Sequence, residues 1–207
     1  MNYFDTAIKI LKKIESLGYD AYIVGGVVRD YLLNLEVYDI DLTTNMPLSE
    51  INKNFQTIEN GKEYLSITIV ESGFKYEITH FRTDLEYINH RHPKTKEVNT
   101  LKEDIIRRDY TINAIAIDSN NNVIDYVNGK QDLNNGIIRL IGDYSKRYDE
   151  DCLRILRGLY LASKLGFEIE DNTLKSIGKW FLANRSIPVT AGHTTCHFFR
   201  TLPRKEQ

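Results

Sequence analysis

Apolar positions along the chain recur at helical and at strand spacing. Ile8, Leu11, Ile14 and Leu17 lie three residues apart and stop at Gly18, which predicts an amphipathic N-terminal helix. "AYIV" (21–24) predicts a short apolar strand that ends at Gly25-Gly26, with "VVRDYLLN" a helix behind it. "YDIDLTT" (38–44) reads as the next strand, and Pro47 opens a further helix, "PLSEINKNF". "YLSITIV" and "KYEITHF" are two strands parted by "ESGF", a hairpin signal. Residues 82–100 are polar and unpatterned, which predicts a mobile loop. "LKEDIIRRDYTINAIA" resumes a helical pattern, and "NNN" (120–122) is a turn between "AIAID" and "VIDYV". "YDEDCLRILRGLYLASKLGF" predicts one long helix, and helical texture continues to about residue 184. A mixed α/β unit followed by helices predicts an α+β head joined to an α-helical neck.

With 207 residues, 42% of them hydrophobic, the chain can bury a core of its own. Its net charge of -2 argues against binding polyanions by bulk charge, so any such contact must be local. No apolar run reaches the length of a membrane span. Charges scattered through "MNYFDTAIKILKKIES" predict a helix rather than a signal peptide. Two cysteines, Cys152 and Cys196, are too few for a disulfide framework or a thiolate zinc site, so a reducing cytoplasm is expected.

Four short constellations carry candidate chemistry. Asp39 and Asp41 are i and i+2 on a strand, so both project from one face while Ile40 points into the core. Two carboxylates held together call for a counter-ion, most commonly Mg²⁺ beside a phosphate substrate. The alternative is an exposed edge strand with solvated acids. "GGVVRD" (25–30) sits between strand and helix, where glycines let backbone N–H groups approach a phosphate and Arg29 adds charge. It reads equally as a tight turn with an Arg29–Asp30 surface pair. In "RRDYTINA" (107–114), Asp109 and Asn113 share a helical face suited to ribose hydroxyls or a base edge. Arg107 and Arg108 suit phosphates. In "EDCLRILR" (150–157), Glu150, Asp151, Arg154 and Arg157 share one face. A guanidinium beside a carboxylate can match a nucleobase edge, although a salt-bridge ladder has the same spacing.

The order of these motifs resembles the head and neck of the bacterial-type (class II) tRNA nucleotidyltransferase/poly(A) polymerase family, the CCA-adding enzymes included. "EITHFRTD", "GKQDL" and "IIRLIGD" agree as well, and the resemblance covers about residues 15–170. It implies a head similar to that of DNA polymerase beta over residues 1–140, with a mixed sheet and flanking helices. A helical neck over 141–185 would carry the nucleobase-reading helix, and a truncated or poorly ordered segment would follow over 186–207. The implied activity is template-independent addition of C and A, from CTP and ATP, to the 3′ end of tRNA or another RNA. Poly(A) polymerase activity, CC- or A-addition alone, and an NTP- or RNA-binding head without turnover stay open.

By the same resemblance Asp39 and Asp41 are catalytic and hold two Mg²⁺ ions, with Glu77 a possible third carboxylate. Gly25, Gly26 and Arg29 match the phosphate cradle. Asp109 matches the ribose selector, with Arg108 and Asn113 in its motif. Asp151 and Arg154 match the base-reading pair, Glu150 orients Arg154, and Arg157 matches a phosphate-side arginine. Arg82 and Asp84 fall in a flexible segment implicated in the change from C to A addition. The chain departs from the family at Tyr38, at His80 and at Tyr160-Leu161. Family members continue into helical body and tail domains, so RNA grip is expected from a C-terminal body or a partner chain, with no membrane involved.

Overall fold

The computed structural model describes residues 3–37, 39–58, 65–88 and 92–184. The predicted segment 186–207 lies outside them. Helix α1 (Tyr3–Ser16) buries Thr6, Ala7, Ile10, Leu11 and Ile14. The apolar stripe is thus displaced from the predicted one. Leu17 is 41% exposed, because the helix ends at Ser16 and Leu17 belongs to the turn through Gly18, whose φ is 87°.

Strand β1 (Ala21–Val24) leads through Gly25 into helix α2 (Gly26–Leu32). Strand β2 (Asp41–Thr44) pairs antiparallel to β1, and helix α3 (Leu48–Asn54) starts on the carbonyl of Pro47, which accepts the amides of Glu50 and Ile51. Edge strand β3 (Thr57–Ile58) precedes the hairpin of β4 (Ser66–Glu71) and β5 (Phe74–His80). Ser72 and Gly73 both have positive φ, the two-residue turn that suits the twist of a hairpin. With β8 (Ile115–Ile117) and β9 (Val123–Asp125), defined below, the sheet has seven strands in the order β3-β4-β5-β2-β1-β8-β9. Parallel pairing of β2 with β5 sets Asp41 opposite Glu77. Ile10, Ile23, Leu42, Ile69 and Ile78 fill the core beneath this sheet.

Two predictions fail in the middle of the chain. Residues 82–88 and 92–97 are not irregular but form the paired strands β6 (Arg82–Ile88) and β7 (His92–Glu97). The sequence hid the strands because it carries no sustained alternation of apolar and polar residues. The pair is fastened at its base, where Val98 donates to the Phe81 carbonyl at 2.9 Å. The helical pattern from Leu101 also stops early. Helix α4 (Leu101–Ile106) ends, a 3₁₀ turn occupies Thr111–Asn113, and β8 and β9 follow. Tertiary contacts override the period: Tyr110 bridges to Leu140, and the carbonyls of Arg107 and Arg108 are taken by the guanidinium of Arg147.

Helix α5 (Gly129–Asn135) and strand β10 (Ile137–Ile138) close the first unit. The single long helix predicted next is two, α6 (Arg147–Glu150) and α7 (Leu153–Leu165). Asp151 breaks them, with extended φ and ψ of -147° and 102°. Its carboxylate accepts the Leu153 amide at 3.0 Å and so caps α7. Strand β11 (Glu168–Ile169) pairs parallel with β10, tying the segment after α7 back to the strand that follows α5, before helix α8 (Asp171–Ala183). Among the described residues, no helix is long and apolar enough to cross a membrane.

Candidate nucleotide-binding cleft

A cleft of about 410 Å³ opens where β2, α4 and α7 converge. Its floor is Gly25, Gly26, Asp41 and Glu77; one wall is Arg82, Arg107, Arg108, Asp109 and Asn113; the α6–α7 segment supplies Asp151, Arg154 and Arg157. Most of the residues singled out from the sequence line it. Asp39, Arg29 and Glu150 do not.

β2 begins at Asp41, with Asp39 exposed just ahead of it and Ile40 between them only 2% exposed. Asp41 shows an edge to solvent, yet the cleft walls strip water from its carboxyl. Burial first, then the charge of Glu77, pushes its pKa up to about 6; Arg108 opposes the rise and Asp39 adds to it. Negative charge is therefore in excess on the floor. Oxygen donors with excess charge suit a hard divalent cation. The acids are not a finished cage: among the described residues, no group of three or more His, Cys, Asp or Glu side chains is placed to hold a metal ion.

Gly25 adopts φ 89°, ψ -155°, a conformation that favours glycine. A Cβ there would lie 3.3 Å from Asp41 Oδ2 and 3.6 Å from Arg108 Nη1. Glycine thus lets the backbone approach the acid and the guanidinium together. Arg29 turns away from the cleft. It is 5% exposed, and it donates from Nε to Asp30 Oδ1 at 2.8 Å and from Nη1 to Asn113 Oδ1 at 2.6 Å. Arg29 is thus buried against a half-buried Asp30 rather than in a surface pair, and Arg29 holds Asn113 from behind.

Asp109 and Asn113 do not share an α-helical face, since the backbone between them is a 3₁₀ turn, but they still meet: Asn113 Nδ2 lies 3.4 Å from Asp109 Oδ1. Asp109 is 7% exposed, accepts the Tyr110 amide at 2.7 Å, and pairs with Arg157 Nη1 at 2.8 Å. On α7, Arg154 is 5% exposed, and its Nη1 donates to Glu150 Oε2 at 2.7 Å and to the Arg147 carbonyl at 2.6 Å. Asp151 lies 3.9 Å from Arg157 Nη2.

Sequence reasoning missed Asp104. It is fully buried, and it binds Arg107 Nη2 at 2.7 Å, Arg108 Nη2 at 2.9 Å and the Arg82 amide at 3.3 Å. Burial pushes its pKa up, but Arg108 and Arg107 together hold it below the usual carboxylate range. The signal was present, since Asp104 is i+3 from Arg107 and i+4 from Arg108. Arg82, crowded by burial and then by Arg107, holds its proton less tightly than usual. Three guanidiniums on one wall make it a natural seat for an anion.

The fold is that of an α+β nucleotidyltransferase head with helices attached. Residues 21–139 match the poly A polymerase head domain, and the chain belongs to that family. It is 49% identical over 176 residues to the CCA-adding enzyme of Staphylococcus haemolyticus, covering 84% of this chain and 44% of that protein. The Bacillus stearothermophilus CCA-adding enzyme in complex with CTP superposes with a TM-score of 0.81 at 35% identity, over 91% of this chain and 46% of that one. A tRNA nucleotidyltransferase complexed with a primer tRNA and an incoming ATP analog gives 0.68 at 30%, over 86% and 52%. The chain thus spans about half the length of the relatives it matches.

Proposed function

We propose that the chain is the head and neck of a template-independent RNA nucleotidyltransferase that adds C and A to a tRNA 3′ end. One observation carries this reading: Asp41 and Arg154 lie on the floor and the neck wall of the same cleft. Likeness to CCA-adding enzymes, including one in complex with CTP, supports it. Residues 1–140 act as the head and 141–185 as the neck.

Asp39 and Asp41 would hold Mg²⁺, with Glu77, opposite Asp41 on β5, as a third carboxylate. Two such ions would supply activation of the RNA 3′-hydroxyl and neutralisation of the triphosphate. The chain's own groups do the rest. Gly25 and Gly26 bring backbone to the triphosphate, with Arg29 bracing Asn113 behind them. Arg108, beside Arg82 and Arg107, takes phosphate charge. Asp109, held by Arg157 and the Tyr110 amide, accepts from a ribose hydroxyl. Cytosine and adenine both present an amino donor next to a ring-nitrogen acceptor. Asp151 accepts from the former and Arg154 donates to the latter. Uracil and guanine present a carbonyl next to an N–H, which reverses both bonds. Glu150 keeps Arg154 aimed. The reaction is cytoplasmic, and RNA grip comes from a C-terminal body or a partner chain.

The test is extension of tRNA transcripts ending before CCA, after one C and after CC, with each NTP and Mg²⁺, and Asp41→Ala as blank. Addition of C, C and A that then stops supports the reading. Long A tails would move the chain to poly(A) polymerases, and NTP binding without extension would leave a nucleotide-binding head.

A further inference from the structure

Arg147 had no role in the sequence reading and does not line the cleft, yet it lies between its two ends. It is 8% exposed. Its Nη2 donates to the carbonyls of both Arg107 and Arg108, at 2.6 Å for Arg107. Its Nη1 donates to Glu150 Oε2 at 2.7 Å. That same oxygen accepts Arg154 Nη1 at 2.7 Å, and the Arg147 carbonyl accepts Arg154 Nη1 at 2.6 Å. One residue therefore grips the turn that carries Arg107, Arg108 and Asp109 and, through a shared carboxylate oxygen, fixes the guanidinium of Arg154.

We propose that Arg147 is a positioning residue that sets the register between the ribose–phosphate wall and the base-reading edge. A helix cap alone would need only the two carbonyls. The Glu150 oxygen shared between two guanidiniums adds the coupling. Without Arg147, Glu150 is free to turn wholly onto Arg154, and the turn before Asp109 loses its anchor. The planar fork matters: a lysine ammonium can reach the carbonyls or Glu150, but cannot hold all three in one plane.

The inference rests on the reading of Arg154 and Asp151 as base readers, so its test measures selectivity rather than turnover. Equilibrium binding of CTP, UTP and dCTP is measured for the full chain, Arg147→Met and Arg147→Lys, with Tm recorded for each. A ratio of dissociation constants does not depend on the fraction folded, so partial unfolding cannot mimic the effect. The full chain prefers CTP to UTP and to dCTP. Arg147→Met lowers both preferences by about tenfold, the scale of one charge-assisted hydrogen bond, and Arg147→Lys restores them in part. Both ratios intact in Arg147→Met, with only a lower Tm, overturns the proposal and leaves Arg147 a helix cap. If Arg147→Met does not fold, the Arg147→Lys ratios decide in the same way. A full chain that binds CTP and UTP alike refutes the base-reading assignment itself, and the inference falls with it.

Discussion

Gly158 of helix α7 lies directly against the side chain of Tyr110, so that a Cβ at 158 would come within 2.6 Å of Tyr110 Cζ. The Tyr110 hydroxyl donates to the Arg154 carbonyl at 2.7 Å. Beside the Arg157–Asp109 pair, helix α7 is thus seated on the Tyr110 segment through one missing methyl and one hydrogen bond, a single turn from the proposed base reader.

Gly158→Ala must push α7 away from Tyr110 or displace the ring. Overpacking of this kind costs about 1–3 kcal/mol. The expected outcome is a lower Tm together with weaker CTP binding, because Arg154 moves with the helix. Denaturant melts and CTP titration check both. Tyr110→Phe keeps the packing and loses one hydrogen bond, for about 1 kcal/mol.

Asp41 gives a pH dependence with a defined sign. Its pKa in the fold, about 6, lies above its ordinary value of 3.8. Protonation therefore favours the folded state. The contribution is complete below the ordinary value and is lost as pH rises through about 6. Melting temperatures of metal-free protein against pH should show this decline, and Asp41→Asn should flatten it. Mg²⁺ competes with the proton, so its stabilising effect should appear only as pH rises through about 6. An equal Mg²⁺ effect on both sides of that range would contradict the assignment.

Asp104 is the counter-charge for the arginine wall. Asp104→Asn keeps the shape and leaves Arg107 and Arg108 without their carboxylate. Breaking a buried pair from one side costs about 3 kcal/mol or more, and partial exposure of the arginines trims that figure. A fall in Tm and weaker binding of inorganic pyrophosphate are expected, measured by calorimetry.

Arg157 pairs with Asp109 rather than standing free for a phosphate. Arg157→Met should therefore reduce discrimination between CTP and dCTP more than it reduces affinity for pyrophosphate. Parallel titrations with the three ligands separate the two effects.

Much of this was legible in the chain. The β4–β5 hairpin followed from apolar alternation around Ser72-Gly73. The Asp39–Asp41 spacing read as i and i+2 of one strand, but β2 starts only at Asp41, and Asp39 precedes it outside the cleft lining. What escaped depends on contacts between distant segments. The helical period ran on past Ile106, but Arg147, 40 residues away from Arg107, ends the helix by taking its carbonyls. Arg29 looked like a phosphate ligand beside two glycines, and only the fold shows it bound to Asn113, 84 residues on. The β6 and β7 sequences carry no sustained apolar alternation, so no period announced them. Asp104 was readable from spacing alone, but its complete burial was not.

The most direct test of the account is single-turnover addition to a tRNA ending before CCA, comparing CTP with UTP in the presence of Mg²⁺. The account predicts that CTP is used at least about tenfold better, that Arg154→Ala erodes this preference, and that Asp41→Ala abolishes addition while CTP still binds in preference to UTP. Equal use of CTP and UTP, or addition that survives Asp41→Ala, would contradict it.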